Sequence, residues 1–271
     1  HVVSVMPAYT EPTIMQTYRD YGIQHKLEYD KKKEATQVFV KDFTVKLKKI
    51  FPQADITSEL LTGEAAAAII DKGRDWQADL IVVGSHGKGF LSRFVLGSVS
   101  NKVLLHSECA VEIVRKRESD SNRTDYNILL PIDFSAHSDK SLADALESFS
   151  GKKARFKIIM TIEQIISYFT PEIAPSTALA MMEERQEMIA RAKDLLPEKA
   201  QPFIEKFENE RISVDIVDGS PANEILDLAR SWPADLIILG SHGKTGLSKL
   251  LLGSVSQAVA LNAPCSVRIV K

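Results

Sequence analysis

The chain predicts an α/β fold built twice: two tandem domains, each an open five-stranded parallel sheet with helices on both faces. Three observations lead there. Residues 84–100 and 240–256 align without a gap at an offset of 156 and share twelve of seventeen residues, so a supersecondary unit is repeated. Strand-like apolar runs alternate with helical patterns in both halves, the order of a parallel sheet with crossover helices. Finally, Leu80-Ile81-Val82-Val83 and Leu236-Ile237-Ile238-Leu239 are wholly apolar, as strands are when both faces of a sheet are covered.

Taken in order, His1-Val2-Val3-Ser4-Val5-Met6 reads as a strand. At the fixed offset it matches residues 157–162, which follow a strand over 126–132 and a helix over 138–149. The same offset puts 31 residues, carrying a first strand and helix, upstream of residue 1; without them backbone groups inside the sheet lack partners. A helix over 31–51 shows an apolar side through Phe39, Val40, Phe43, Val45, Leu47 and Ile50 and ends at Pro52. A strand over 54–61, an alanine-rich helix over 64–76 and a strand over 79–83 follow. The glycine loop 84–97, a helix over 98–106 and a strand over 109–114 complete the first copy. In that last strand Val111 and Ile113 alternate with Glu112, so an edge is expected to be paired.

Residues 115–125 are charged and carry no apolar pattern, which marks a linker. The domains are therefore 1–116 and 126–271, joined through 117–125. The second copy reads as strand 126–132, helix 138–149, strand 155–163 and a long helix over 176–196. Pro197 and Pro202 are expected to break that helix before a further helical piece. Strand 212–217, helix 222–232, strand 235–239, the loop, a helix over 257–262 and strand 266–270 close the chain.

Composition bounds the function. A length of 271 residues suits two domains. Lys+Arg 34 against Asp+Glu 36 leaves a net charge of −2, which argues against a nucleic-acid surface. No apolar run approaches the ~20 residues that span a bilayer, so no membrane partner is expected. The two cysteines, Cys109 and Cys265, stand at the same position of the two copies. They read as small packed residues before an edge strand, with a redox pair as the competing reading. Nothing resembles a disulfide scaffold, so a reducing cytoplasm is the expected compartment.

The loop carries the chemistry. Gly240 and Gly243 let backbone approach a ligand without a Cβ. Gly253-Ser254 stand at the start of the last helix, whose first amides have no intrahelical partner and whose dipole favours an anion. The Ser254 hydroxyl can cap the helix or bond a phosphate oxygen. A purely structural strand-to-helix crossover would use the same glycines. Two familiar phosphate loops fail: a P-loop needs glycine where Ile238 and Val82 stand, and the dinucleotide pattern from Gly87-Lys88-Gly89 meets Ser92. Asp133, at the carboxyl end of a first strand, can accept from a ribose or an adenine amine, or serve as a turn aspartate. His86 and His242 are expected to line the loop or bond phosphate rather than act as acid or base. Lys88 and Lys244 either add positive charge there or sit exposed.

Gly-x2-Gly-x9-Gly-Ser after a fourth strand, in both copies, together with Ile128-Leu129-Leu130-Pro131-Ile132-Asp133-Phe134-Ser135, resembles the universal stress protein family over nearly the whole chain. The resemblance implies a Rossmann-like domain that binds ATP; a competing reading of the Asp133 carboxylate is that it holds Mg²⁺ beside the nucleotide. Pro131 and Asp133 match positions touching the adenosine part. Thr161 falls where the second strand meets adenine, a place more often held by Val; Val5 stands there in the first copy. Leu239, Gly240, His242 and Gly243 match residues lining ribose and phosphates, and Gly253, Ser254 and Val255 hold the phosphate tail. In the first copy Val83, Gly84, His86, Gly87, Gly97, Ser98 and Val99 match likewise. The last strands of two family domains pair across a dimer axis; here strands 111–114 and 266–270 are expected to do so within one chain, as an intramolecular pseudo-dimer, with a homodimer of chains left open.

The reading that follows is a stress-response sensor or regulator that binds an adenine nucleotide and hydrolyses it slowly at most, since no base–nucleophile set is visible. The competing readings are an interaction protein with vestigial sites, separated by Thr161 and the missing first segment, and a true nucleotide hydrolase.

Overall fold

The computed structural model describes residues 1–10, 19–85, 96–115, 125–163, 175–243 and 252–271. The fold is α/β, with helices on both sides of the sheet, and the described residues form two compact units, His1–Gln77 and Ala78–Lys271.

The first unit holds β1 (Val2–Met6), α1 (Arg19–Ile50), β2 (Ser58–Thr62) and α2 (Ala65–Asp75). Its two strands pair in parallel, Val5 opposite Leu61. Glu64 starts α2 by accepting the Ala67 N–H at 2.7 Å, an N-cap supplied by a carboxylate. Met6, Val40 and Ala66 are buried, whereas Phe39, Phe43 and Ile50 of α1 are exposed. The helix starts earlier than the apolar pattern predicts, because its first turns carry few apolar residues to announce them.

The second unit contains a seven-stranded sheet in the order β3-β4-β9-β8-β5-β6-β7. From the first copy come β3 (Leu80–Gly84), α3 (Ser98–His106) and β4 (Ala110–Val114). From the second copy come β5 (Tyr126–Ile132), α4 (Ala136–Ser148), β6 (Ala154–Ile162), α5 (Pro175–Lys206), β7 (Ile212–Asp218), α6 (Pro221–Ser231), β8 (Leu236–Gly240), α7 (Ser254–Asn262) and β9 (Ser266–Val270). The five strands of the second copy are parallel. β4 meets β9 antiparallel within the chain, Val111 opposite Ile269 and Ile113 opposite Val267. In the second copy β5 bridges β6 and β8; among the described residues the first copy has no strand in that role, and β3–β4 is fastened to β9 instead.

Every residue of β8, and all of β5 except Tyr126, is buried. The core between β6 and α5 is aromatic: the Phe156 ring lies 5.0 Å from Phe203 and 4.6 Å from Phe207. This packing corrects one expectation. Pro197 and Pro202 lie inside a continuous α5. An interior proline costs about 3 kcal/mol, but Ala192, Leu196, Ala200 and Phe203 bury the core-facing side of the helix on both sides of the prolines, each large side chain contributing about 1.5–3 kcal/mol. Breaking the helix would forfeit that face. Among the described residues no helix is long and apolar enough to cross a membrane.

Candidate functional site

The strand order of the second copy reverses between β5 and β8. Open α/β sheets hold ligands in the crevice at such a point, outside the carboxyl ends of the strands. The sequence opens it. The β5–β8 ladder runs through Ile128–Leu236 and Leu129–Ile237, two residues short of Pro131, which has no N–H to donate. Leu239 and Gly240 continue along β9, so the two strands part above Pro131.

Asp133 follows β5 at the mouth of this crevice. Its Oδ1 accepts the Ser135 N–H at 3.0 Å, a turn that carries Phe134 at φ +59°, an uncommon conformation for a residue with a Cβ. Ser135 then caps α4, accepting the Ser138 N–H at 3.2 Å. Thr161 is half-buried on β6, one residue past the Ile132–Met160 pair and so level with Asp133.

Opposite Asp133 comes the end of β8. A Cβ on Gly240 would sit 2.6 Å from the His137 carbonyl carbon, so only glycine lets this strand approach the first turn of α4. A Cβ on Gly243 would sit 2.7 Å from Asp133 Oδ2, which puts the Gly243 backbone against the carboxylate. The chain returns at Gly253, whose N–H donates to the Ser241 carbonyl at 2.8 Å. Gly253 is also the N-cap of α7, with no side-chain capping bond. The amides of Ser254 and Val255 thus stand at a helix tip beside the crevice, where a partial positive charge is concentrated.

His242 lies between these parts. Its Nδ1 is 3.0 Å from Ser241 Oγ, its ring centroid 5.2 Å from that of His137, and its buried Nε2 has no hydrogen-bond partner among the described residues. Burial, and then the neighbouring His242 and Lys140, hold the His137 imidazole below the usual histidine range, while Asp133 pulls the other way. The His137 ring therefore favours the neutral state, which can both donate and accept.

The first copy repeats the anchors. The Gly97 N–H donates to the Ser85 carbonyl at 2.8 Å, and α3 starts at Ser98 after the uncapped Gly97. Ser100 Oγ donates to the Gly84 carbonyl at 2.6 Å and Ser256 Oγ to the Gly240 carbonyl at 2.7 Å. These serines, which tie each helix to its strand, were visible in the sequence only as repeated residues. Val83, Gly84, Gly97, Ser98 and Val99 belong to the second unit, Val5 to the first. His86, Gly87, Lys88 and Lys244 lie outside the described residues.

The structure thus brings Asp133, Gly240, His242, Gly243 and Gly253 together and places Ser254 and Val255 on the helix tip. His137, which sequence reasoning passed over, joins them because α4 and β8 meet at Gly240. No group of three metal-ligating side chains occurs among the described residues. A carboxylate acceptor, a glycine-lined approach and an uncapped helix tip can together hold a ligand with a sugar or amine donor at one end and an anion at the other.

A parallel run of strands with a crevice at its switch point defines a doubly wound α/β protein. Comparison with known families narrows this: the model of the universal stress protein family matches residues 1–115 and 126–271, and the chain belongs to that family. It is similar to a universal stress protein of Mycolicibacterium smegmatis, 27% identical over 216 residues, 80% of this chain and 69% of that one. One from Methanocaldococcus jannaschii is 35% identical over 114 residues, 40% of this chain and 65% of that one. The fold is also that of a universal stress protein from Archaeoglobus fulgidus, with a TM-score of 0.62, 23% identity, and coverage of 98% of this chain and 85% of that one.

Proposed function

We propose that this chain binds an adenine nucleotide, ATP first among them, in the crevice between β5 and β8 and acts as a cytoplasmic stress-response sensor or regulator. The observation that carries the reading is the Gly253 N–H closed onto Ser241 beside Asp133, with the tip of α7 left uncapped. Three further features fit the ligand: the Gly243 backbone against the Asp133 carboxylate, which a Cβ would fill; the buried Nε2 of His242; and family membership.

In this reading Asp133 accepts from the ribose or the adenine amine, with Pro131 and Thr161 flanking the base. Leu239, Gly240, His242 and Gly243 line the sugar and first phosphate, and the amides of Gly253, Ser254 and Val255 receive the phosphate tail. Val83, Gly84, Gly97, Ser98 and Val99 take the same roles in the first copy. The nucleotide brings the negative charge; the chain supplies position and dipole. In this reading hydrolysis is slow at most, because the His137 and His242 rings lie against each other, 5.2 Å between centroids, and the sequence offers no base–nucleophile set.

Titration calorimetry with ATP and AMP tests the reading. Binding of ATP is expected, with affinity at least tenfold weaker in Asp133→Ala and an unchanged circular dichroism spectrum. No heat with either nucleotide would overturn it in favour of an interaction protein, a reading to which Thr161, in place of an aliphatic residue, lends support.

A further inference from the structure

Glu112 and Arg268 occupy the same position of the two copies, 156 residues apart. They also stand directly opposite one another in the β4–β9 ladder. The flanking pairs are equivalent as well: Val111 faces Ile269 and Ile113 faces Val267, one contact viewed from either strand. A local two-fold relation between the strands therefore passes through the Glu112–Arg268 pair. It is the one place in this ladder where a residue meets its own counterpart. In an isologous contact between identical strands, like meets like at that point.

Here the two copies have diverged to opposite charge. Arg268 Nε and Nη2 donate to Glu112 Oε2 at 2.8 and 2.7 Å. Its Nη1 donates to Asp144 Oδ2 and to Ser148 Oγ of α4, both at 2.6 Å. The side chains of Arg268 and Glu112 are only 10% and 17% exposed. Burial would lower the Arg268 pKa, but Asp144 and Glu112 outweigh it and the guanidinium is held above its ordinary value. A β4 paired with a second β4 would set two glutamates face to face, and a β9 with a second β9 would set two arginines. Like charges directly opposite in a ladder are destabilising, and more so where water screens them poorly.

We infer that the Glu112–Arg268 pair makes the two edge strands selective for each other: β4 accepts β9 and rejects another β4, and β9 rejects another β9. The surface is thereby satisfied by the other half of the same chain, which the short linker holds at high effective concentration. It is closed to the like half of a second copy.

A double-mutant cycle on the full chain tests this, with Asp144→Asn in every member so that the arginine's second carboxylate does not enter. Glu112→Arg and Arg268→Glu are each expected to lower the thermal midpoint by about 5–10 °C. The two changes together are expected to recover at least half of that loss. Losses that simply add would overturn the inference. Glu112→Gln separates like-charge rejection from loss of a salt bridge, and keeps the test open should the charge-reversed chains fold poorly. It is expected to lose clearly less than Glu112→Arg; equal losses would overturn the selectivity.

Discussion

The Arg115 guanidinium donates to the carbonyl of Ala260 at 2.6 Å, at the C-terminal end of α7. Further contacts of 3.4 Å reach the carbonyls of Leu261 and Cys265. The counterpart of Arg115 in the second copy is Lys271, and that of Ala260 is Leu104. Lys271 Nζ donates to the Leu104 carbonyl at 3.0 Å. Each copy thus ends in a cation that caps the last helix of the other, where orphan carbonyls and the dipole favour positive charge. Burial pushes both cations below their ordinary pKa values, so carbonyl contacts must offset a desolvation penalty.

Removing these caps leaves buried carbonyls unpaired, at about 1–3 kcal/mol for the set. Arg115→Met is therefore expected to lower the thermal midpoint by roughly 3–10 °C. Lys271→Met, which removes a single described bond, is expected to lower it by about half as much. Differential scanning calorimetry checks the order; an Arg115→Met midpoint within a degree of the parent would refute reciprocal capping.

Cys265 precedes β9 in the same region and is buried. Burial, only partly countered by Arg115, pushes its thiol up to about 12. Cys109, half-buried near Lys271, is also raised. The folded state therefore resists ionisation of Cys265: its contribution is fully present below the unfolded thiol's pKa of ~8.5 and is lost as pH rises toward about 12. Since only the thiolate reacts, native protein at pH 8 should be alkylated at Cys109 first, and at Cys265 only after unfolding. Peptide mass mapping after iodoacetamide checks the order, and Cys265→Ala should flatten the loss of stability above pH 9.

Much of this was legible in the chain. The repeat, the apolar strands and the glycine loops announced a doubled α/β fold, and Asp133 was marked by its place after a strand. What escaped depends on contacts between elements distant in sequence. Arg115 opens a charged stretch and reads as linker, yet β4–β9 pairing carries it onto α7. His137 looks like an ordinary helix-start residue until Gly240 brings β8 against it. Pro197 and Pro202 signal a break by local rules, and only the buried face of α5 overrides them. The opposition of Glu112 and Arg268 needs both the repeat offset and the register of the ladder.

Gly240 and Gly243 separate scaffold from site, because each excludes a different neighbour. A methyl at 240 would press on backbone, the His137 carbonyl carbon at 2.6 Å, within the first turn of α4. Helix and strand would have to move apart, an overpacking cost of about 1–3 kcal/mol. Gly240→Ala should therefore lower the thermal midpoint by roughly 3–10 °C. Among the described residues a methyl at 243 would meet only the end of a side chain, Asp133 Oδ2 at 2.7 Å, and Gly243 is exposed. Turning the carboxylate aside loosens the bond it accepts from the Ser135 N–H, at about 1 kcal/mol, so the midpoint of Gly243→Ala should fall by roughly 2–4 °C, less than that of Gly240→Ala. The displaced carboxylate would then no longer face the crevice, and ATP affinity should fall at least tenfold, about 1.4 kcal/mol. Calorimetric titration beside a thermal melt reads both quantities. A Gly243→Ala chain that binds ATP as tightly as the parent would remove Asp133 from the ligand's reach.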